Sequence, residues 1–221
     1  MKLDFYNVNK PYIEYLQKAE YEKRGFTRVP NIDYGDKKQK FLCGIVLSSP
    51  KTNLKYFVGV THYKTQKSEN FLIMVDKDRQ QVKGSLRFNY MFPVPVQLIT
   101  RKEILAEPDE TYKILLSKEL KSINSHCEEI VKKANEVYKK VVNKKCSKNL
   151  ILNSCDFTYL ETKCIEYCKI NNIKLPELEL NHEKLESAKE CTPWNDLLIT
   201  VSKQKEKEKP KIIEEDIEPD R

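Results

Sequence analysis

The pattern of hydrophobic and polar residues divides the chain into a first half rich in strands and a second half rich in helices. Apolar runs of strand length lie at 41–47, 56–60 and 71–75, and polar turns separate them, which indicates antiparallel pairing. Further short strands are expected within 86–99, where two prolines indicate edge positions or bulges. Several short strands at this spacing predict a small, partly open antiparallel barrel or a strongly curved sheet.

Helical periodicity occurs near the start of the chain and again from residue 112 onward. Pro11 suits the first turn of a short amphipathic helix at 12–16, and a polar loop follows it. Apolar residues at alternating three- and four-residue steps predict one long helix over 112–141 and a second helix over 157–170. Both helices are expected to pack against the sheet. The candidate caps of these two helices are Asp109, Thr111, Ser154 and Asp156.

The last part of the chain has a weaker pattern. We expect residues 176–201 to form a partly helical extension. The mixed-charge, aromatic-free residues 202–221 are expected to be a disordered tail, because they lack the apolar side chains needed to offset the entropy of ordering. The predicted organisation is therefore a main domain over 1–175, followed by the extension and the tail. The predicted fold class is α+β.

The net charge says more about the class of binding partner than the fractions of hydrophobic and charged residues do. The 221 residues are 39% hydrophobic and 33% charged, which suits one soluble domain of ordinary size. The formal net charge of +7 comes mostly from lysine and favours a polyanionic partner, because each lysine set against a phosphate releases condensed counterions. The alternative is a lysine-rich soluble protein with no such partner, and charge alone does not separate the two.

Targeting signals and metal-ligand spacings are also informative. We find no signal-peptide pattern and no apolar run of about 20 residues, so we expect a cytoplasmic protein with no membrane partner.

Seven cysteines, an odd number, indicate reduced thiols. Cys164 and Cys168 share a helix face, but no second ligand pair follows at the spacing of zinc sites. Carboxylates show no convergent spacing either, so we expect no metal and no other cofactor.

The residues directly after the predicted strand at 56–60 are the strongest candidates for chemistry. Thr61, His62 and Lys64 place a hydroxyl, an imidazole and an ammonium within four residues, and such a set can act on a phosphodiester without a metal. Loops on a rigid sheet are common catalytic positions. The competing interpretation is a capped turn with a surface histidine, which these residues alone favour.

A series of short segments between residue 12 and about residue 167 has an order and spacing that are familiar from one protein family. The segments lie at 40–47, 55–64, 86–88, 91–94, 112–120 and 154–161. The first carries Gly-Ile-Val-Leu after a lysine, and the second ends in Thr-His-Tyr-Lys. In these segments the chain resembles the ToxN/AbiQ family of type III toxin-antitoxin toxins. No single segment is diagnostic, but six in register are hard to obtain by chance.

The resemblance implies both a fold and an activity. The implied fold is a compact antiparallel β-barrel-like core, similar to the small toxins of the Kid/MazF type, extended by long α-helices. The implied activity is a sequence-specific, metal-independent endoribonuclease of an abortive-infection system, an antiviral defence. Its target mRNA would be cut through the RNA's own 2'-hydroxyl and left with a 2',3'-cyclic phosphate. The implied inhibitor is a small, repeated pseudoknot RNA antitoxin that assembles with the toxin into a ring, and no DNA partner is expected.

The resemblance also implies which residues act on RNA. Lys40 and Lys64 would flank the phosphate and stabilise the charged transition state, and Thr61 would orient a phosphate oxygen. The family usually has serine where this chain has His62. This histidine therefore either transfers a proton or replaces a phosphate contact, and the sequence leaves both interpretations open.

Residues for RNA recognition are expected around this site, because sequence-specific RNA binding places unstacked bases on aromatic or guanidinium planes. The candidates for base contacts are Tyr34, Tyr63 and Arg87. The lysines expected along the RNA backbone are Lys37, Lys38, Lys132, Lys133, Lys144 and Lys145. The alternatives are ordinary packing for the first group and solvated lysine surfaces for the second.

Two other classes of function remain compatible with the sequence. A non-catalytic RNA-binding module with the same basic core would bind RNA without cutting it. A structural or protein-interaction role would show no salt-sensitive RNA binding at all. The sequence does not reveal the target motif or the sequence of an inhibitor RNA.

Overall fold

The computed structural model describes residues 2–32, 40–76 and 81–175. The extension and the tail predicted for 176–221 lie outside the described residues. The strands are β1 (Asp4–Val8), β2 (Leu42–Ser48), β3 (Lys55–Thr61), β4 (Asn70–Asp76), β5 (Gln81–Arg87), β6 (Phe92–Pro93) and β7 (Ile99–Arg101). The helices are α1 (Lys10–Arg24), α2 (Glu110–Ser125), α3 (Cys127–Val142), α4 (Lys148–Leu152) and α5 (Phe157–Ile170).

The strands form an antiparallel sheet in the order β4-β5-β3-β2-β1-β7, and β6 pairs with the first half of β3. The predicted pairing of β2 with β3 is confirmed, with Leu42 opposite Gly59. Strand β1, which the sequence pattern did not reveal, lies between β2 and β7. Among the described strands the order ends at β4 and β7, so the sheet is not closed into a barrel. The α+β class is confirmed, and the barrel-like core of the Kid/MazF type stays unconfirmed.

The strands expected within 86–99 are shorter than predicted. Strand β5 ends at Arg87, and a 3-10 turn covers Phe88–Tyr90. Strand β6 has only two residues, and the last of them is Pro93, which has no N–H to donate to a ladder. The turn at Phe88–Tyr90 separates β5 from β6, which pairs with β3.

Helix α1 begins and ends where its sequence chemistry dictates. The Asn9 side chain accepts a hydrogen bond from the Tyr12 N–H at 3.3 Å and caps the first turn. The helix ends at Gly25, whose φ of 73° lies in the left-handed region that favours glycine. Its length of 15 residues exceeds the short helix predicted. The buried Tyr12 hydroxyl donates to the Pro93 carbonyl at 2.6 Å, which fastens the helix to β6.

The prediction of one long helix from residue 112 is wrong, because the chain breaks at His126 into α2 and α3. Polar side chains take up carbonyls of the last turn of α2. The Asn124 amide donates to the Leu120 carbonyl at 3.0 Å, and the Ser125 hydroxyl donates to the Ser122 carbonyl at 2.8 Å. His126 Nδ1 lies 2.9 Å from that same Ser122 carbonyl. Such local bonds compete with the helical backbone ladder.

Helix α5 confirms the prediction for 157–170, and the Asp156 side chain caps it by accepting from the Tyr159 N–H at 3.3 Å. The five-residue helix α4 before it was not predicted. Ser147 caps α4 by accepting from the Leu150 N–H at 3.2 Å. Among the described residues, no helix is both long enough and apolar enough to span a bilayer.

A buried ion pair fastens the region between α4 and α5 to the end of α1. Glu20 and Arg24, both almost inaccessible to solvent, form a 2.8 Å salt bridge. Glu20 also accepts from the Asp156 backbone N–H at 2.8 Å. Arg24 and Arg28 both donate to the Leu152 carbonyl, at 3.1 and 3.2 Å. The position of α4 is therefore set by α1 and the residues that follow it.

Candidate active site

Thr61, the last residue of β3, lies opposite Ser85 of β5 in the antiparallel register. Its hydroxyl oxygen is 3.3 Å from the Ser85 hydroxyl and 3.4 Å from the Ser85 carbonyl. Ser85 is fully buried, whereas Thr61 is half-buried. The sheet thus holds the Thr61 hydroxyl at the boundary between core and solvent, where a ligand can reach it.

Lys40 lies at the same end of the sheet. It lies two residues before β2, whose first residue, Leu42, faces Gly59, and Gly59 lies two residues before Thr61. Its backbone N–H donates to the Ile32 carbonyl at 2.9 Å, which fixes this end of the strand. The pairing of two strands therefore brings together two predicted site residues that are distant in sequence.

His62 and Lys64 continue the chain beyond Thr61. His62 is half-buried and Lys64 is exposed. An exposed ammonium can meet a phosphate from solvent, and a half-buried imidazole beside it has one side supported by protein. The four residues predicted to act on RNA therefore lie at or just beyond one end of the β2–β3 pair.

The loop that follows has a defined path because the buried side chain of Asn70 binds two of its residues. Asn70 Oδ1 accepts from the Lys67 backbone N–H at 2.9 Å, and its Nδ2 donates to the Thr65 carbonyl at 2.8 Å. Asn70 is the first residue of β4 and is 1% exposed. The loop is thereby fastened to the sheet at both ends.

Arg87, at the end of β5, lies between two tyrosine rings beside this loop. Its guanidinium carbon is 4.6 Å from the Tyr63 ring centroid and 4.3 Å from the Tyr90 ring centroid, within cation–π range. Its Nη2 also donates to the Tyr90 hydroxyl at 3.0 Å. On the loop side, a hydrogen bond with Tyr63 raises the pKa of Lys67. Two of the residues predicted to contact bases, Tyr63 and Arg87, are therefore neighbours.

A cleft of about 540 Å³ opens beside these rings. Its walls come from residues within 63–69, 87–90 and 147–153, together with Arg28. Arg28 is held against the third wall, because its Nη2 donates to Asn153 Oδ1 at 2.8 Å. We call this space the Tyr63–Tyr90 cleft.

The lysines predicted to follow RNA lie elsewhere. Lys132 and Lys133 are on α3, and Lys144 and Lys145 come just after its end. Lys133 is half-buried and the other three are exposed, and the cleft walls contain none of the four. Outside the described residues lie Tyr34, Lys37 and Lys38.

Most residues of the cleft were not predicted from the sequence. Tyr90 could have been found, since it is an aromatic residue three positions after Arg87 in a turn-forming segment. Arg28, Asn149 and Asn153 carry no such signal, because each lies far from the predicted site along the chain. Only the folding of α4 against the end of α1 brings them to the cleft.

Cys164 and Cys168, which lie four residues apart on α5, were the pair with the spacing of half a metal site. Both are buried, and a hydrogen bond joins their thiols. Across the described ranges, no group of three or more His, Cys, Asp or Glu side chains is arranged to hold a metal ion.

Comparison with known proteins agrees with this architecture. A solved structure of a bacterial type III toxin-antitoxin system, in which a non-coding RNA pseudoknot selectively inhibits the toxin, is 26% identical with a TM-score of 0.65. The match covers 76% of this chain and 98% of that one. No curated protein sequence matches the chain significantly.

Two further structures share the fold at lower identity. Lactococcal AbiQ, an anti-phage endoribonuclease of the type III toxin-antitoxin system, is 24% identical with a TM-score of 0.64 over 76% of this chain and 99% of that one. A protein from a bacterial antiviral system regulated by a processed non-coding RNA is 24% identical with a TM-score of 0.62 over 74% and 98%. The family model described as toxin ToxN, type III toxin-antitoxin system, matches residues 4–165. The chain therefore belongs to the ToxN family of type III toxin-antitoxin toxins.

Proposed function

We propose that this chain is a sequence-specific endoribonuclease toxin of a type III toxin-antitoxin system, and that it cuts RNA without a metal ion. Membership of the ToxN family over residues 4–165 carries the proposal. The convergence of Lys40, Thr61, His62 and Lys64 at one end of the β2–β3 pair supports it, since these groups supply positive charge, a hydroxyl and an imidazole. A role in defence against phage follows from the likeness to AbiQ.

The proposed reaction is attack of the RNA 2'-oxygen on the adjacent phosphorus. The bond from phosphorus to the 5'-oxygen breaks, and the products are a 2',3'-cyclic phosphate and a free 5'-hydroxyl. One proton must leave the 2'-hydroxyl and one must reach the departing 5'-oxygen. Negative charge accumulates on the non-bridging oxygens in the transition state, so fixed donors aimed at them accelerate the reaction.

The positions of the four candidate side chains suit the two tasks of contacting the phosphate and transferring protons. The Thr61 hydroxyl donates to the Ser85 carbonyl at 3.4 Å, and it would turn this proton to a non-bridging oxygen when RNA binds. Lys64 is exposed and Lys40 is half-buried at the same end of the β2–β3 pair, so both ammonium groups are near enough to meet a phosphate bound there. His62 is the proton-transfer candidate, and such groups typically contribute about 10²- to 10⁴-fold.

The proposed inhibitor is a structured RNA, as in the pseudoknot-inhibited toxin system that the chain resembles. The lysines Lys132, Lys144 and Lys145 lie outside the cleft and are offered as contacts to its backbone. A closed ring of toxin and RNA copies is part of this proposal. Each lysine that contacts a phosphate should lower the dependence of binding on salt concentration when it is replaced.

Cleavage in the presence of a chelator tests the proposed function. The purified protein should cut single-stranded RNA in excess EDTA, and mass spectrometry of the upstream fragment should show a 2',3'-cyclic phosphate. Lys64→Ala should abolish most of the activity, because it removes charge at the phosphate. Lys51→Ala is the matched control, since Lys51 is an exposed lysine in the turn at the opposite end of β2.

Three outcomes would contradict the proposal. Cleavage that requires added magnesium would exclude the metal-independent reaction. A fully active Lys64→Ala enzyme would move the active site away from this loop. Binding of RNA without any cleavage would favour the non-catalytic RNA-binding module instead.

A further inference from the structure

The Tyr63–Tyr90 cleft combines features of sites that bind single-stranded RNA. The cleavage reaction proposed above does not use it. We propose that it is a base-recognition subsite that takes one unpaired nucleotide of the substrate RNA next to the cleavage point. This inference rests on the proposed endoribonuclease function, to which it adds a determinant of sequence specificity. The subsite adds Arg28, Lys67, Asn89, Tyr90 and Asn149 to Tyr63 and Arg87, which the sequence predicted to contact bases.

The size of the cleft suits such a ligand. A volume of about 540 Å³ falls within the range of roughly 300–1,000 Å³ that is typical of sites for small organic ligands and cofactors. One nucleotide is a ligand of this class. A double helix does not fit into a cleft of this size, so the occupant must be unpaired.

The charges around the cleft are mainly positive. Arg28, Lys67 and Arg87 bring three cationic groups to its walls, and Glu69 brings one carboxylate. Lys67 is exposed and Arg87 is almost buried, so positive charge is present both at the rim and at depth. This distribution attracts a sugar-phosphate backbone and lets it remain near the rim.

The aromatic groups supply a surface for a base. Arg87 lies between the rings of Tyr63 and Tyr90, which fixes the orientation of both rings and of the guanidinium plane. Both tyrosines are half-buried and line the cleft. Unstacked RNA bases stack on aromatic planes, and the faces of the two rings that Arg87 does not cover are left for a base.

A buried amide supplies an independent indication of a ligand. Asn89 lines the cleft and is 1% exposed. Its Nδ2 donates to the Asn153 carbonyl at 2.6 Å, but its Oδ1 has no hydrogen-bond partner among the described residues. A buried acceptor without a partner is destabilising, and an N–H group on the edge of a bound base would satisfy it. Asn89 thus offers a ligand in the cleft an acceptor that the described residues leave unused.

The cleft is also close enough to the scissile phosphate. Ser85 and Arg87 are two residues apart on β5, so their side chains share one face of the sheet. Thr61 lies opposite Ser85 on that face. Two residues of strand span roughly 6.6 Å, which is a distance that one nucleotide bridges easily. A base in the cleft can thus belong to a nucleotide adjacent to the phosphate at Thr61.

The test compares cleavage rate and base preference in cleft variants. A pool of single-stranded RNAs with a randomised cut site is digested by the wild-type protein and by Tyr90→Ala and Asn149→Ala, and the ends are sequenced. We expect a loss of about tenfold or more in kcat/KM for Tyr90→Ala, which removes a stacking surface. Both variants should relax the preference for one base beside the cut. Asn149 is exposed, so its substitution keeps the test valid if Tyr90→Ala fails to fold.

The control and the contrary outcomes separate this inference from the proposed function. Tyr21→Ala removes an exposed tyrosine on α1 that does not line the cleft, and it should change neither rate nor preference. If the wild type cuts RNA but both cleft variants keep its base preference, the subsite is overturned, even where the rate falls uniformly. If the wild type cuts no RNA, the proposed function fails. A binding measurement does not depend on cleavage, and it compares the Lys64→Ala variant with the Lys64→Ala/Tyr90→Ala double variant. A lower affinity of the double variant for a single-stranded oligonucleotide would support the cleft. An unchanged affinity would overturn it.

Discussion

The Tyr138 hydroxyl on α3 donates a 2.8 Å hydrogen bond to Glu161 Oε1 on α5, inside the core. The same oxygen accepts a second 2.8 Å hydrogen bond from the Tyr56 hydroxyl on β3. One buried carboxylate therefore joins two helices to the strand that ends at Thr61. The end of β3 that carries the candidate site is positioned in part by this contact, which lies five residues away along the strand.

Replacing Glu161 should be strongly destabilising. Glu161→Ala removes the 2.8 Å acceptor of two buried hydroxyl groups and leaves them only the Phe157 carbonyl and the Ser49 hydroxyl, each at 3.3 Å. Each loss costs about 1–3 kcal/mol. Urea denaturation should therefore show a decrease of about 3 kcal/mol or more in the free energy of unfolding. Glu166→Ala, on the same helix but with a side chain 45% exposed, is the control and should change it by less than about 1 kcal/mol. Equal effects of the two substitutions would contradict a special role for the buried carboxylate.

Stability should fall at alkaline pH because of the buried tyrosines. Burial, followed by the charge of Glu161, raises the pKa of both Tyr56 and Tyr138 above the ordinary value of about 10. Above pH 10 the unfolded chain loses these protons while the folded protein keeps them. The stabilisation is thus complete below about pH 10 and is lost as pH rises beyond it. Melting temperatures across this range should fall less steeply for Tyr138→Phe, and an unchanged slope would contradict the assignment.

Two glycines on paired strands should respond in opposite ways to alanine. A Cβ at Gly44 would overlap the ring of Phe57, which is fully buried and packs edge-on against Tyr6. Gly44→Ala should therefore destabilise the protein by about 1–3 kcal/mol or more. A Cβ at Gly59 would lie 3.9 Å from the nearest Leu42 carbon, in ordinary contact. Gly59→Ala should be neutral or slightly stabilising, and similar losses at both positions would show that overlap with Phe57 is not the cause.

The role of His62 can be decided by kinetics. If His62 transfers a proton, His62→Ala should lower single-turnover cleavage by about a hundredfold or more and leave RNA affinity nearly intact. The pH–rate profile should then lose one limb. If His62 only contacts phosphate, His62→Ser should be nearly silent while Lys40→Ala and Lys64→Ala remain severe. A silent His62→Ala would exclude both roles.

The sequence predicted elements best where local chemistry and packing agree. Pro11 and the apolar spacing marked α1, and the apolar run at 41–47 marked β2. The break at His126 was hidden, because Ile123 and Cys127 continue the apolar stripe across it while the polar side chains beside them terminate α2. Periodicity reports which face of a helix is buried, and it does not report local competition for backbone carbonyls.

Only the part of the candidate site at the end of β3 was predictable from the sequence. Thr61 and Lys64 are close in sequence, so a single predicted strand end brought them together. Arg87 was selected for its chemistry, but its contact with Tyr63 depends on the pairing of β3 with β5. Asn149 reaches the cleft only after α4 folds back, and no local pattern encodes a contact over that distance along the chain.

The anchoring of α4 to α1 has a consequence for the order in which parts of the protein can fold during synthesis. Glu20 accepts from the Asp156 N–H across 136 positions of sequence. Contacts of such long range form late, because most of the chain must be present before they can close. A nascent chain that ends before α4 contains the loop from Thr61 to Lys64 but lacks one wall of the cleft. Synthesis from the N-terminus therefore completes the loop with the proposed catalytic residues before it completes the proposed base-recognition cleft.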